Sequence, residues 1–313
     1  MVKRLKIYNN FKVPNNCKNS ILLVGNFDGL HLGHKKLFNL AKKYKKNFNL
    51  KIGVITFEPV PKMYFNKNLT NFRISNLRQK IQNFRKLNID FLIVKKFDRK
   101  FSKIKSEIFI KNILFKNLKA KYIFVSNNFR FGNKRQGDVN QLITNEKRFN
   151  YKTINPKPLV LKKNLVSSTL IRKFLSRGKL EIANKLLSRN WSIEGKVEKG
   201  RQLGKKLGFP TCNIDIKDYV IAKPGVYAVK VYERNKKFLL KGIANLGYRP
   251  TFKQKKILLE VNIFNFSGNL YNKNLSIEFI EFIRGEKKFN GVLNLKKQIK
   301  MDCKKAKGIL SNE

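Results

Sequence analysis

Two histidines, three residues apart in a glycine-rich stretch, are the first residues that could do chemistry. His31 and His34 are the chain's only histidines, and they lie in the run ILLVGNFDGLHLGHKKLF. An apolar strand followed by a glycine-rich turn and a helix aims backbone N–H groups at a phosphate. If the turn is helical, both imidazoles share one face and can bond phosphate oxygens. Histidines can also merely pack or cap a helix, but this setting favours phosphate binding.

A second glycine-rich stretch precedes a short polar sequence. GKVEKGRQLGKKLGFPTCNI carries three glycines that could wrap a nucleotide, namely Gly200, Gly204 and Gly208. Thr211 and Asn213 follow, and their neutral oxygens suit magnesium, which prefers oxygen ligands shared with substrate phosphates. The alternative is a hairpin that only turns the chain.

Four further stretches carry weaker signals. Glu260 interrupts an apolar strand, where an unpaired carboxylate is costly, although an edge-facing surface residue is the simpler alternative. SSTLIR, residues 167–172, puts hydroxyls and an arginine at a helix start, which suits phosphate but is also a common N-cap. FRFGNKRQGD, residues 129–138, follows a predicted strand, while TFEPVP, residues 56–61, could be only a strand exit.

The elements that must position the histidines alternate between strand and helix. Short apolar runs predict strands at Ile21–Gly25, Lys51–Phe57, Phe91–Val94 and Tyr122–Val125. Amphipathic stretches between them predict helices near His34–Lys46, Asn76–Leu87 and Ser106–Leu118. Crossovers of that length are typical of a parallel sheet wrapped by helices. The first half therefore predicts a Rossmann-like α/β domain.

The second half has a different pattern. A helical pair follows Ser167, with Gly178 as the stop between its members. From Trp191 onward, strand-length segments such as YAVKVYER, FLLKGIANLG, ILLEVNIFNF and LSIEFIEFI are separated by turn residues, which predicts an antiparallel β-barrel. VLNLKKQIKMDCKKAKGIL predicts a closing C-terminal helix. The expected domains are residues 1–189 and 190–313.

Composition excludes several kinds of protein. No apolar stretch reaches the ~20 residues of a membrane span, and the first residues lack a secretory pattern. Cys17, Cys212 and Cys303 are too far apart for a disulfide framework. We therefore expect a cytoplasmic protein without membrane contact. The formal charge of +51 would suggest nucleic acid, but the basic residues are spread evenly, and a genome rich in A and T explains them without such a partner.

The first motif resembles the HxGH nucleotidyltransferases, and GNFDGLHLGH is similar to bacterial FAD synthetases. The resemblance implies that His31 and His34 hold the ATP phosphates while AMP passes to FMN. SSTLIR resembles the superfamily's second phosphate motif, with Arg172 neutralising charge, and FRFGNKRQGD resembles the flavin-side loop. The implied nucleotide-binding residues are Gly25, Asn26, Phe27, Asp28, Gly33, Ser167, Ser168 and Thr169, and the implied flavin-binding residues are Phe129 and Phe131. Ser126 and Asn128 depart from the glycine and aspartate frequent there.

The second motif resembles the flavokinase signature that ends in PTAN, with Cys212 in place of alanine. The resemblance implies that Gly200, Gly204 and Gly208 bind nucleotide, that Thr211 and Asn213 hold Mg²⁺, and that Glu260 is the general base for the riboflavin 5′-hydroxyl. Arg284 is the best candidate for a flavin or loop contact on that side. Asn262, Asn265 and Asn272 replace a histidine, an aspartate and a glycine that are common at these positions.

Together these similarities span residues 18–302 and imply a bacterial bifunctional riboflavin kinase and FAD synthetase. Its expected ligands are riboflavin, FMN, FAD and ATP, with Mg²⁺ as cofactor and no nucleic acid. One alternative is another HxGH enzyme, acting on phosphopantetheine or a cytidylyl acceptor, which would have no use for the second motif. The other is a basic RNA-associated protein with vestigial folds, against which His31, His34, Asn213 and Glu260 count.

Overall fold

The computed structural model describes residues 5–200, 203–216, 218–233, 239–250 and 255–311. They form two compact units. The first unit contains the residues up to Leu69 together with Leu77–Ser167, and the second contains Thr70–Asn76 together with the residues from Ser168 onward. The chain therefore enters the second unit twice.

A parallel sheet forms the centre of the first unit. Its strands are β1 (Lys6–Tyr8), β2 (Ile21–Val24), β3 (Ile52–Glu58), β4 (Phe91–Lys96), β5 (Tyr122–Phe124) and β6 (Lys152–Ile154). They lie in the order β1-β4-β3-β2-β5-β6, and all neighbouring pairs are parallel. From the β2–β5 pair, β3 and β4 follow on the side of β2, and β6 follows on the side of β5. A ligand crevice is expected at the carboxyl ends of such a pair.

Helices and short turns fill the connections of the first unit. They are α1 (Leu32–Phe48), α2 (Pro61–Phe65), α3 (Leu77–Lys86), α4 (Arg99–Ser102), α5 (Ser106–Ile108), α6 (Val139–Thr144) and α7 (Glu146–Phe149), with 3-10 turns at Asn15–Cys17 and Asn133–Arg135 and a π-helix at Phe109–Asn117. Strands β7 (Val160–Leu161) and β8 (Asn164–Leu165) form a small hairpin. Apolar clusters pack on both faces of the sheet, which is why β2 is buried throughout.

The predicted Rossmann-like class is confirmed. All four predicted strands are present with ends displaced by one or two residues. Edge strands β1 and β6 were not predicted, because each has three residues with only one or two apolar side chains among them. The stretch predicted as a helix over Ser106–Leu118 is a turn of α-helix that continues as a π-helix. Periodicity of apolar residues does not distinguish these two windings.

The second unit contains a closed antiparallel barrel, as predicted. Its strands are β9 (Ser192–Glu198), β10 (Cys212–Asp215), β11 (Gly225–Glu233), β12 (Leu239–Pro250), β13 (Lys255–Ile263) and β14 (Asn274–Gly285), in the closed order β10-β13-β12-β11-β14-β9. Its helices are α8 (Ser168–Ser176), α9 (Leu180–Leu187), α10 (Leu203–Lys206) and α11 (Val292–Ser311).

Alternation along the barrel strands separates an inner from an outer face. Leu259 and Val261 of β13 are fully buried and face the interior, so Glu260 between them faces outward. Helix α11, predicted at this place, covers another part of the outside through Ala306 and Leu310, which pack against β11, β12 and β14. Within the described ranges no helix is long and apolar enough to cross a bilayer.

The short segment Thr70–Asn76 belongs to the second unit although its sequence neighbours belong to the first. Backbone N–H groups of Phe72 and Arg73 donate to the Asp218 carbonyl at 3.2 and 2.9 Å, and the Val220 N–H donates to the Arg73 carbonyl at 2.8 Å. The indole of Trp191 donates to the Ile74 carbonyl at 2.9 Å. The segment is therefore part of the fold of the second unit, which the sequence pattern did not indicate.

Candidate active sites

The turn after β2 is fixed by its own backbone. The Gly25 N–H donates to the Ile55 carbonyl at 3.1 Å, and the Leu30 N–H donates to the Phe27 carbonyl at 3.3 Å. Phe27, Gly29 and Leu30 all have positive φ angles, of 48°, 78° and 43°. Three left-handed residues within four positions make a sharp reversal, and that reversal carries the chain from the end of β2 into α1.

Both histidines lie at the start of α1. His31 is the N-cap residue, and its Nδ1 accepts a hydrogen bond from the His34 N–H at 3.4 Å. The imidazole rings stack with centroids 3.7 Å apart and an angle of 21° between their planes. The turn thus brings the two predicted phosphate ligands together at the positive end of a helix of 17 residues.

Burial determines the charge state of His34. Desolvation lowers the pKa of His34 well below its ordinary value, and the nearby charges of His31 and Lys80 lower it further. The Nδ1 atom of His34 is buried without a hydrogen-bond partner, and the ring lies edge-on to Phe27 at 5.3 Å. At neutral pH His34 is therefore an uncharged imidazole held by packing, and it offers hydrogen bonds rather than a positive charge.

Gly25 and Gly33 of this motif lie in tightly packed surroundings. A Cβ on Gly33 would lie 3.1 Å from the Val166 carbonyl and 3.2 Å from the His31 ring. A Cβ on Gly25 would lie 3.2 Å from the Phe27 ring. Asn26 is held through its carbonyl, which accepts from the Thr56 hydroxyl at 3.2 Å, and Asp28 is buried. The residues predicted to shape the nucleotide pocket therefore form one packed turn.

The loop after β5 follows the strand that pairs with β2. Its two departures from the common pattern bond to each other, because the Ser126 hydroxyl donates to Asn128 Oδ1 at 2.9 Å. Phe129 and Phe131 stack with centroids 5.4 Å apart. Phe131 is buried against Phe109, while Phe129 is only partly buried. Of the two predicted flavin contacts, Phe129 is the one with an accessible ring, and Phe131 supports it from the core.

The SSTLIR motif straddles the division between the units. Ser167 ends the first unit, whereas α8 begins at Ser168 in the second and contains Thr169. Arg172 in α8 packs its guanidinium 3.7 Å from the centroid of the Phe72 ring and donates from Nε to the Phe72 carbonyl at 2.8 Å. The predicted phosphate-binding arginine is thus held by the segment Thr70–Asn76.

The barrel site is assembled across neighbouring strands. Asn213 of β10 and Asn245 of β12 both lie directly opposite Glu260 of β13, one on each side. Residues paired in this way point to the same face of a sheet, so the three side chains form a polar row on the outer face. The Asn213 amide makes two hydrogen bonds. Its nitrogen donates to Glu260 Oε1 at 3.3 Å, and its oxygen accepts from the Gly200 N–H at 3.2 Å.

The glycine loop lies against this row. A Cβ on Gly200 would overlap the Asn213 amide, and a Cβ on Gly204 would overlap the Phe209 carbonyl and lie 3.2 Å from Thr211 Oγ1. Gly208 has a φ angle of +86° with open space beside it. Two of the three glycines are therefore needed for close approach, and the third for its backbone conformation.

Arg284 is engaged elsewhere. Its Nη2 lies 2.6 Å from Asp302 Oδ2, and its Nε donates to both oxygens of that carboxylate at 3.0 and 2.9 Å. Asp302 belongs to α11 and is itself buried. The predicted flavin contact therefore anchors the C-terminal helix.

Two asparagines that depart from the common pattern have a conformational explanation. Asn265 and Asn272 have φ angles of 52° and 65°, which asparagine tolerates better than most residues.

Comparison with known proteins agrees with this two-site architecture. The family model described as FAD synthetase matches residues 13–170, and the one described as riboflavin kinase matches residues 187–310. The chain belongs to both families. A protein of Buchnera aphidicola from Schizaphis graminum, named bifunctional riboflavin kinase/FMN adenylyltransferase, is 40% identical over 96% of each chain. Proteins with the same name from Haemophilus influenzae and Escherichia coli K12 are 37% identical over 93% of this chain and 94% of theirs, and 32% identical over 90% of each.

A solved structure shares the whole fold. It is that of a protein from Streptococcus pneumoniae named as a macrolide-efflux protein, and it superposes with a TM-score of 0.82 at 28% identity, covering 95% of this chain and 96% of that one. Its name belongs to that protein alone. Membership of the FAD synthetase and riboflavin kinase families assigns the two units of this chain to two linked flavin reactions.

Two residues beside the candidate sites were not indicated by the motifs of the sequence. Lys80 of α3 is fully buried, one helical turn from Phe84, whose ring packs on Phe27 at 5.8 Å, and its charge acts on His34. A lysine on the apolar face of an amphipathic helix was the available signal. Asn245 lies opposite Glu260, and its signal was a polar residue within the apolar run FLLKGIANLG.

The riboflavin kinase site fits magnesium by its chemistry. Thr211 Oγ1 and Asn213 Oδ1 are hard oxygen donors of the kind that magnesium takes together with water and substrate phosphates. Among the described residues there is no group of three or more His, Cys, Asp and Glu that could hold a metal ion.

Proposed function

We propose that this chain converts riboflavin to FMN and FMN to FAD, consuming one ATP in each step. Riboflavin is phosphorylated in the second unit, and FMN is adenylylated in the first with release of pyrophosphate. The main support for the proposal is that each family match contains one of the two glycine-rich sites. The FAD synthetase match, residues 13–170, contains the turn with His31 and His34, and the riboflavin kinase match, residues 187–310, contains the loop with Gly200, Gly204 and Gly208. Macrolide efflux, which the name of the Streptococcus pneumoniae protein states, is not carried over to this chain, since no described feature favours transport here.

Adenylyl transfer needs positioning and charge stabilisation rather than a covalent intermediate. The FMN phosphate attacks the α-phosphorus of ATP in line, and pyrophosphate leaves. His31 and His34 would donate hydrogen bonds to the phosphate oxygens as negative charge develops. Their stacked rings and the packing of His34 against Phe27 support this role, because donors that are already oriented need no reorganisation during the reaction. Phe129 supplies an aromatic face for the flavin ring.

Phosphorylation of riboflavin needs a base. A primary alcohol is a poor nucleophile at neutral pH, so the Glu260 carboxylate would accept the proton of the 5′-hydroxyl as oxygen attacks the γ-phosphorus of ATP. Asn213 bonds to Glu260 Oε1 and would hold that carboxylate in place. Thr211 and Asn213 would bind Mg²⁺, which supplies neutralisation of the ATP phosphate charge.

Each of the two reactions is assigned to the part of the chain that contains its site. We propose a boundary after residue 189, with the adenylyltransferase in 1–189 and the kinase in 190–313. A fragment that begins near Trp191 should then make FMN and no FAD, since the histidines lie in the other part. A second fragment from Ser168 keeps α9, whose Asn184 accepts from the Trp191 N–H at 2.8 Å and donates to the Phe279 carbonyl at 3.1 Å. Both fragments lack Thr70–Asn76, so circular dichroism must first show that each is folded. FAD formation by either fragment would contradict this division.

We also propose that the enzyme works in the cytoplasm and without nucleic acid. Its three cysteines, all within the described ranges, are free, which suits a reducing compartment. Its lysines and arginines are spread along the chain rather than concentrated in one stretch. Filter binding of RNA to the purified protein should be weak at physiological salt and unchanged by flavins.

The direct test is to incubate the purified chain with riboflavin, ATP and Mg²⁺ and to separate the flavins. FMN should appear first and FAD afterwards, and supplied FMN should give FAD without riboflavin. Leaving out Mg²⁺ should stop both reactions. Failure to make FMN from riboflavin would contradict the kinase assignment, and failure to make FAD from supplied FMN would contradict the adenylyltransferase assignment.

A further inference from the structure

Asn262 contacts the glycine loop from the same strand as Glu260. It lies two positions further along β13 and so on the same outer face of the barrel. Its Nδ2 donates to the Pro210 carbonyl at 2.7 Å. Strand β13 therefore holds the loop at two points, through Glu260 to Asn213 and through Asn262 to Pro210.

The second contact lies just beyond the end of the ladder between β10 and β13. The pairing of Cys212 with Val261 would place Thr211 opposite Asn262 if the ladder continued, but β10 begins at Cys212. Pro210 has no N–H with which to extend a ladder. The Pro210 carbonyl, which lies outside the ladder, takes its hydrogen bond from the side chain of Asn262.

Thr211 lies between residues that are fixed on both sides. On one side, the Phe209 N–H donates to the Gly204 carbonyl at 2.8 Å. On the other, Asn213 is held by Gly200 and Glu260. The Pro210 carbonyl is the backbone group directly before Thr211, and its partner is Asn262. Loss of that bond would free Thr211 to move while leaving Glu260 in place.

We propose that Asn262 is a positioning residue of the kinase site, which fixes Thr211 against the magnesium complex of ATP by donating to the Pro210 carbonyl. The proposal rests on the proposed kinase function and deepens it. A change at Asn262 should then weaken the binding of ATP rather than of the flavin. The size of the change should depend on whether the new side chain has an N–H donor, and not on its shape.

Asn262→Asp tests this directly, because it keeps the shape, removes the donor and sets a carboxylate against a carbonyl oxygen. The Michaelis constant for MgATP in riboflavin phosphorylation should rise about 10-fold, the scale of one lost and unsatisfied hydrogen bond. The turnover number and the Michaelis constant for riboflavin should change less than about threefold. Asn262→His, whose ring N–H can donate, should recover most of the ATP affinity.

Two controls make the outcome decisive. Asn274→Ala removes an exposed asparagine at the start of β14 and should leave the Michaelis constant for MgATP unchanged. FMN adenylylation, measured on every preparation, reports whether the first unit is folded, and riboflavin phosphorylation by the wild-type chain reports whether the proposed kinase function itself stands. An unchanged Michaelis constant for MgATP in Asn262→Asp, or equal losses in Asn262→Asp and Asn262→His, would overturn the proposal. If Asn262→Asp loses both activities, the uncharged Asn262→Leu decides by the same comparison.

Discussion

The turn after β2 and the loop before β10 each carry three glycines, yet they are fixed by different interactions. In the first, residues within ten positions of each other make the site, through positive φ angles, a helix cap and stacked imidazoles. In the second, Gly200, Asn213 and Glu260 come together only because the barrel closes. A site made by local geometry can be inferred from a contiguous motif, whereas a site made by strand register cannot.

The difference also predicts how each site fails. In the barrel site a single changed side chain leaves a partner on another strand without its hydrogen bond. In the turn, a change disturbs the packing of residues next to it in sequence. Variants that remove one functional group without disturbing the backbone of either site test this comparison most directly.

Glu260→Gln should give the largest effect. The amide keeps an oxygen that can accept from Asn213, but it cannot take a proton, so the turnover of riboflavin phosphorylation should fall about 10² to 10⁴-fold. The Michaelis constant for ATP should stay nearly unchanged. Glu281→Gln, on the exposed side of β14, is the matched control and should be neutral. A Glu260→Gln enzyme with normal phosphorylation would end the general-base proposal.

His31→Ala and His34→Ala come next. Each removes one oriented donor, and FAD formation from supplied FMN should fall about 10²-fold or more. Riboflavin phosphorylation on the same preparation should be preserved, since that chemistry belongs to the other site. Equal loss of both activities in a folded variant would mean that the histidines are structural.

Gly200→Ala tests whether the barrel site depends on close backbone approach. The new methyl group would overlap the Asn213 amide, and the displaced amide should lower kinase efficiency about 10-fold, in line with one disrupted buried hydrogen bond. Gly308→Ala, in α11 with open space around it, should be neutral or slightly stabilising. Equal kinase efficiency in the two variants would show that Gly200 is not tightly packed in solution.

The smallest effect is a titration. The chain has two histidines, so two imidazole signals can be followed by proton NMR. Because desolvation lowers the pKa of His34, its signal should not move between pH 8 and the ordinary histidine value of about 6.5, and protonation should begin only below it. Unfolding would expose a His34 that protonates first, so stability should decline as pH falls below that value. Lys80→Met should shift the titration upward, and a midpoint near 6.5 in the wild type would refute the assignment.

Most of the fold could be predicted from the sequence because its strands are buried apolar runs. Strands β2 to β5 and the barrel strands β11 to β14 were found in this way, while β1 and β6 were too short and too polar. The placement of His31 and His34 side by side at a helix start could also be predicted, since the residues of that turn are contiguous. The pairing of Arg284 with Asp302 and the approach of Lys80 to His34 depend on packing between distant elements. No spacing in the sequence encodes those contacts.

The segment Thr70–Asn76 has a consequence for the order of events during synthesis. Arg73 leaves the ribosome long before Asp218 and Val220, its backbone partners. At ~5 to 20 residues per second, the delay is roughly 7 to 30 s. Throughout that interval the surrounding α/β unit can fold around a loop whose own partners do not yet exist. A nascent chain that stalls before Val220 would therefore present this loop to chaperones and proteases, even with its nucleotide-binding half complete.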